Sequence, residues 1–297
     1  MFDLKIGFKC NNNCVHCVVA DKRTAGDLPI DELFSIIDKV PENIGIQITG
    51  GEPSIYRTLP QILQKCKENG HYVVMQTNGT GFADSDFFNQ CRDYIDHIHI
   101  AIHSCLPHIH DQIVQSEGMW NKTMQGLDNI LTANNIKVTT QTVLSRLNMP
   151  SLFDTFSFIQ NKIPGVQMSM TYPHVMGNAY KNRKEIIFRY SEYKDIIQKT
   201  LASFKEHIYT EAIPPCYLYP NFPSCSLEQG LLNRDTLRIG VDFSENKENK
   251  DYNFLDIKSK RKAPRCKQCL FNNKCVGVWK EYIDQFKDCL DLYPITE

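Results

Sequence analysis

The sequence has no long apolar run. Its longest hydrophobic stretches are strand-sized, which excludes a membrane-crossing helix of about 20 residues. It has no excess of one charge: 33 Lys and Arg stand against 34 Asp and Glu, a formal net charge of -1. Neither a nucleic-acid partner nor a membrane-surface partner is therefore expected. The opening, Met-Phe-Asp-Leu-Lys-Ile-Gly-Phe-Lys-Cys, lacks a basic segment followed by an apolar one, so no export signal is expected and a cytoplasmic location is. Internal repeats and low-complexity tracts are missing too. What the chain does have is cysteine, twelve in 297 residues. A secreted disulfide scaffold would be shorter and exported. In a reducing compartment, clustered cysteines point to metal binding or catalysis.

Short β-rich runs alternate with helical spacing. Strands are expected at Leu4 to Phe8, Ile44 to Thr49, Tyr72 to Thr77, His97 to His103, Val138 to Leu144 and Val166 to Tyr172. Helices with i, i+3, i+4 apolar spacing are expected at Asp31 to Val40, Leu59 to Asn69, Asp84 to Tyr94, Asn121 to Asn134 and Ser151 to Gln160. Six such units predict an α/β fold with a parallel sheet, both faces covered by helices, and ligands gathered at the C-terminal strand ends. The pattern changes near Asn182, which predicts two parts, 1–182 and 183–297. The second would hold a helix from Tyr190 to Glu206, an irregular Pro- and Asn-rich stretch, and a closing helix over Val276 to Phe286.

Just after the first strand stand Cys10, Cys14 and Cys17, on a loop rich in turn-forming Asn. Three thiolates within eight residues can wrap one metal centre and leave a coordination position open. With zinc that arrangement is a catalytic-type site; with a 4Fe–4S cluster it leaves one iron free for a small molecule. Strand two ends in Thr49-Gly50-Gly51-Glu52-Pro53, where two glycines permit close backbone approach and Pro stops the strand.

The C-x3-C-x2-C loop followed by Gly-Gly-Glu-Pro resembles the radical SAM family. The position before the third cysteine is usually aromatic in that family and is His16 here. The resemblance implies a partial (β/α)6 TIM-like barrel. It implies a 4Fe–4S cluster on Cys10, Cys14 and Cys17, with S-adenosylmethionine chelated at the open iron and cleaved reductively to a 5′-deoxyadenosyl radical. Gly50, Gly51, Glu52 and Pro53 would seat the methionine end of the cofactor. By the same resemblance Asn78, in a Thr-Asn-Gly turn, and Ser104, after strand four, are cofactor contacts, although Ser104 equally reads as a turn cap. Tyr172 and Gly177 would lie near the adenine. His97, His99 and His103 share one strand face and read as structural, with His103 nearest the site.

The tail carries Cys266, Cys269 and Cys275 in C-x2-C-x5-C spacing, suited to metal. The pattern resembles the auxiliary-cluster extensions called SPASM and twitch, and Trp279 stands where a fourth cysteine of the full pattern would follow. The resemblance implies one auxiliary 4Fe–4S cluster in a small cysteine-rich subdomain, with Cys216 as fourth ligand and Cys225 or Cys289 as alternatives; a structural zinc knuckle fits the same spacing. Cys66, Cys91 and Cys105 read as ordinary thiols.

Family resemblance implies an enzyme that abstracts hydrogen from a substrate, first a ribosomal peptide or protein under maturation. A one-electron donor such as flavodoxin or ferredoxin would be its redox partner. The early first strand leaves no room for a leader-binding domain ahead of the barrel, which weighs against a peptide. The alternatives are a small-molecule enzyme, such as an aminocyclitol dehydrogenase or an enzyme of cofactor biosynthesis, and a non-catalytic zinc protein.

Overall fold

The structure, a computed structural model, describes residues 1–222, 224–226, 239–242, 247–251 and 258–296. Seven parallel strands form its centre: β1 (Phe2–Lys5), β2 (Ile46–Thr49), β3 (Val73–Thr77), β4 (His97–Ala101), β5 (Lys137–Val143), β6 (Gln167–Thr171) and β7 (Ile208–Glu211). Beside β1 lies a parallel β8 (Ile239–Asp242), and beyond it an antiparallel β9 (Lys247–Asp251). The sheet order is β7-β6-β5-β4-β3-β2-β1-β8-β9. Between the strands run α1 (Ile30–Ile37), α2 (Leu59–Glu68), α3 (Ser85–Cys91), α4 (Pro107–Val114), α5 (Met119–Leu131), α6 (Leu152–Lys162), α7 (Gly177–Lys181), α8 (Arg183–Ile186) and α9 (Lys194–Ser203).

Alternation along the strands divides the sheet into two unlike faces. Leu4, Ile46, Ile48, Val73, Met75, Ile98, Ile100, Met168 and Met170 are buried in one core with Leu33 and Ile37 of α1, Leu63 of α2, Phe88 of α3 and Phe156 of α6. Each such side chain contributes about 1.5–3 kcal/mol by leaving water. The intervening residues Asp3, Lys5, Thr49, Gln76, Gln141, Thr171 and Glu211 line a cavity instead. Helices were expected to cover both faces; the second face is polar because it borders that cavity. Local chemistry sets the helix limits. Asp84 caps α3, accepting from the Asp86 and Phe87 amides at 3.1 Å each.

Several expected elements shift. The first strand was expected over Leu4 to Phe8 but ends at Lys5, because Gly7 turns to bridge Asp27. The helix expected from Tyr190 starts as a 3-10 turn and becomes α-helical at Lys194. The helix expected from Val276 gives way at its start to β11 (Val278–Trp279), which pairs with β10 (Lys260–Arg261), and the helix itself spans Lys280–Gln285. The expected division at residue 182 is not an edge of the sheet, since β7, β8 and β9 all come from later residues. Much of the irregular stretch between Cys216 and Cys266 lies outside the described residues. No helix among the described residues is long and apolar enough to cross a membrane.

Candidate active site

A cavity of about 440 Å³ opens at the C-terminal ends of the strands, within the size range of cofactor sites. Cys10, Cys14 and Cys17 all border it. Burial pushes the Cys10 thiol up to about 11. Cys14 is raised further, first by burial and then by the neighbouring Cys10 and Cys17 thiolates. Buried thiols such as Cys10 and Cys14 need a cationic centre to hold them as thiolates. Among the described residues no three His, Cys, Asp or Glu converge on one ion position. Beside the thiols, Asn12 (both amide atoms), His16 Nδ1 and Arg23 Nη2 are buried polar atoms without a partner. All three residues border the cavity, and such orphans fit a polar, charged ligand.

The Gly-Gly-Glu-Pro turn packs on the backbone leaving β1. A Cβ on Gly50, whose φ is +131°, would meet the Gly7 carbonyl oxygen at 2.1 Å, and one on Gly51 would meet that of Lys9 at 2.1 Å. In place of side chains, Gly51 N donates to Gly7 O and Glu52 N to Lys9 O, each at 2.9 Å. Both glycines border the cavity. Glu52 borders the cavity beside them, while its carboxylate is engaged within the fold. It is 1% exposed and accepts from Ser54 N at 2.9 Å, Ser54 Oγ at 2.7 Å, Asn78 N at 2.5 Å and Thr77 Oγ1. It is a latch joining the second and third loops. Pro53 is buried and starts the 3-10 turn Pro53–Ile55.

Asn78 borders the cavity, but its side chain ties loops together: Nδ2 donates to Asn11 Oδ1 at 3.0 Å, and Oδ1 accepts from Thr80. Ser104 lies away from the cavity. It is buried, and its Oγ accepts from Leu106 N at 3.1 Å, so it caps a turn. Tyr172 borders the cavity, with most of its side chain turned into the core. Its ring is buried among Phe188, Tyr190 and Tyr282, and its hydroxyl donates to Phe188 O at 2.7 Å. Gly177 meets the cysteine loop rather than a ligand, since a Cβ there would stand 2.6 Å from Cys17 O.

Sequence reasoning missed two features of the wall. His103 is grouped with His16 (ring centroids 4.7 Å apart) and His110 (5.7 Å), and all three border the cavity. Burial lowers all three pKa values, His16 and His110 to about 4, which keeps these imidazoles neutral. His97 and His99 keep their structural reading: they lie together in β4, and His97 Nε2 pairs with Thr139 Oγ1 at 2.7 Å. The second feature is Trp279. It stacks on His174 with centroids 4.0 Å apart, and its Nε1 donates to Tyr172 O at 3.3 Å. Both Trp279 and His174 border the cavity, so the tail supplies part of its wall.

The same tail builds a second pocket of about 30 Å³, bordered by Cys216, Cys266, Cys269 and Cys275 with Arg261 and Lys262. Burial and the thiolates of Cys275, Cys266 and Cys269 raise the Cys216 pKa, and burial lifts Cys275 to about 11. The two alternatives sit elsewhere. The Cys225 carbonyl accepts from Thr210 N, and Cys289 Sγ donates to Phe286 O at 3.2 Å.

Residues 4–159 match the Radical SAM superfamily. The Probable GTP 3′,8-cyclase of Sulfolobus acidocaldarius is 24% identical over 193 residues, covering 63% of this chain and 59% of that protein. That of Saccharolobus islandicus is 23% identical over 218 residues, 71% and 68% of the two chains. The chain thus spans about 59% of the length of the first of these relatives. Among solved structures, native anSMEcpe with bound AdoMet aligns with a TM-score of 0.64 and 13% identity, over 94% of this chain and 89% of that one. Streptococcus suis SuiB bound to precursor peptide SuiA aligns with a TM-score of 0.64 and 14% identity, over 99% and 74%. At such identities the structural likeness concerns the fold. The superfamily match covers more than half of the 297 residues, and this chain is a member of the radical SAM superfamily, an α/β enzyme of the kind that works with a 4Fe–4S cluster and S-adenosylmethionine.

Proposed function

We propose that Cys10, Cys14 and Cys17 hold the cluster, that the adjoining cavity takes S-adenosylmethionine and a polar substrate together, and that the substrate is a peptide or protein undergoing maturation. When bound, the cluster and cofactor supply a 5′-deoxyadenosyl radical that removes a hydrogen atom from the substrate. The observation that carries this reading is one cavity bordered at once by the three thiols, the Gly50-Gly51 turn and a polar floor. The chain's own residues bind and orient. Gly50 and Gly51 leave backbone bare at the wall, and Arg23 offers a cation for the cofactor's carboxylate. Neutral His103 and His110 hold their part of the wall without adding charge.

Charge on the floor supports a peptide over a nucleotide. Among the described residues, the cations at the cavity are Lys5, paired with Asp3 at 2.6 Å, and Arg23, while Glu211 adds a carboxylate. A triphosphate is held by several cations. SuiB, which aligns along nearly the whole chain, was solved with a precursor peptide. The second reading, a small-molecule enzyme of cofactor biosynthesis, is favoured by the relatives named GTP 3′,8-cyclase. Within the first reading, the four-cysteine pocket holds an auxiliary cluster, and a flavodoxin or ferredoxin supplies electrons. Anaerobic assays with GTP and with peptides encoded by neighbouring genes separate the two readings. Peptide-dependent consumption of S-adenosylmethionine with a mass change in the peptide supports the first; a cyclised GTP product contradicts it.

A further inference from the structure

We propose that Asn178 is a positioning residue for the three-cysteine loop, fixing from across the barrel where Cys14 and Cys17 point. This rests on the reading of those cysteines as cluster ligands.

Strands β1 and β6 are separated by four others in the sheet, yet the loops that follow them touch. Asn178 N donates to Cys17 O at 2.9 Å, and its Nδ2 donates to Cys14 O at 3.1 Å and to Asn13 Oδ1 at 2.9 Å. One turn further along, Asn182 Nδ2 donates to Val15 O at 3.1 Å. Gly177 allows the approach, because any Cβ there would meet Cys17 O at 2.6 Å. On the other side, the loop hangs from the end of α4 through Asn13 N to Val114 O at 2.9 Å and Val15 N to Ile113 O at 2.8 Å. The amides of the loop are therefore held by one element and its carbonyls by another.

The residue type matters. A cysteine loop wrapped around a metal centre has few internal partners for its carbonyl oxygens, and here Cys14 O is shared by Cys17 N and the Asn178 amide. Asparagine supplies two N–H donors in one rigid plane. Alanine would keep only the backbone N–H to Cys17 O and lose the bonds to Cys14 O and Asn13 Oδ1, and aspartate would set an anion against two oxygens. The consequence reaches chemistry through geometry: a displacement of about 1 Å in a reacting group costs on the order of 100-fold in rate.

The test uses the full chain, reconstituted anaerobically with iron and sulfide, as wild type, Asn178→Ala and Asn182→Ala. Three quantities are read: iron content, the change in the EPR spectrum of the reduced protein on adding S-adenosylmethionine, and reductant-dependent 5′-deoxyadenosine. The EPR change reports the cluster with the open iron, and a loss of general stability alone would not alter its shape. For Asn178→Ala we expect a spectrum changed from wild type and cleavage slowed by ~10-fold to ~100-fold. For Asn182→Ala, which lacks one bond to Val15, we expect a smaller change of the same kind. A wild-type spectrum with cleavage within about twofold of normal in Asn178→Ala overturns the proposal and leaves the cluster reading intact. If Asn178→Ala does not fold, Asn182→Ala decides: a changed spectrum supports the proposal and an unchanged one overturns it. A wild type without iron and without 5′-deoxyadenosine overturns the cluster reading and this proposal with it.

Discussion

At the scale of single residues, Glu52 shows how a motif residue can work from inside the fold. Its carboxylate is the common acceptor for Ser54, Thr77 and Asn78. Glu52→Ala strands these donors without water, and a buried donor left unpaired costs about 1–3 kcal/mol. We expect a loss of roughly 3 kcal/mol or more in urea unfolding, with Glu52→Gln recovering part of it. A loss under about 1 kcal/mol would remove the latch from the account. His110 gives a prediction in pH. Its folded pKa, lowered to about 4 by burial, lies below the ordinary value of 6.5. The unfolded chain therefore takes up the proton first. Stability from this group is complete above about pH 6.5 and falls as pH drops toward about 4, by roughly 3 kcal/mol. His110→Phe should flatten that part of the stability–pH curve, read by urea unfolding at stepped pH. An unchanged slope would count against a buried neutral imidazole.

At the scale of elements, the alternation of strand and helix was legible, and six of the seven central parallel strands, β1 to β6, were expected at or near their observed positions. The polar floor was not legible: Asp3, Lys5, Gln76 and Gln141 alternate with apolar residues as they would on a solvent-facing sheet, and only barrel curvature turns them inward. The seventh strand, Ile-Tyr-Thr-Glu over Ile208–Glu211, is too short and mixed to stand out. Val278 and Trp279 carry helical spacing with Tyr282 and Ile283, but pairing with Lys260 and Arg261 prevails over it. The thiol positions were legible because ligand spacing is written in sequence. The hydrogen bonds made by Glu52, Ser104 and Tyr172 were not legible, because family position does not reveal which way a side chain turns. The choice of Cys216 over Cys225 and Cys289 has its own test. With both clusters loaded, about eight irons are expected per chain. Cys216→Ala should lose about four of them, whereas Cys225→Ala and Cys289→Ala should keep the wild-type count. Equal loss in all three would contradict the four-cysteine pocket.

At the scale of the whole molecule, the tail and barrel form one working unit. Residues after 182 supply strands to both edges of the sheet, and Trp279 carries the tail into the wall of the main cavity. Trp279→Ala opens that wall beside His174 and should raise solvent quenching of the radical, seen as 5′-deoxyadenosine formed without substrate product; a product ratio equal to wild type would count against a shared cavity. The central claim is that the Cys10, Cys14 and Cys17 loop holds a cluster that cleaves S-adenosylmethionine. The most direct measurement is 5′-deoxyadenosine formation by the anaerobically reconstituted protein with dithionite, beside a Cys10→Ala, Cys14→Ala, Cys17→Ala triple variant. The account predicts reductant-dependent product from the wild type and none from the variant, which keeps the iron of the tail pocket. Equal product from both, or none from an iron-loaded wild type, would contradict it.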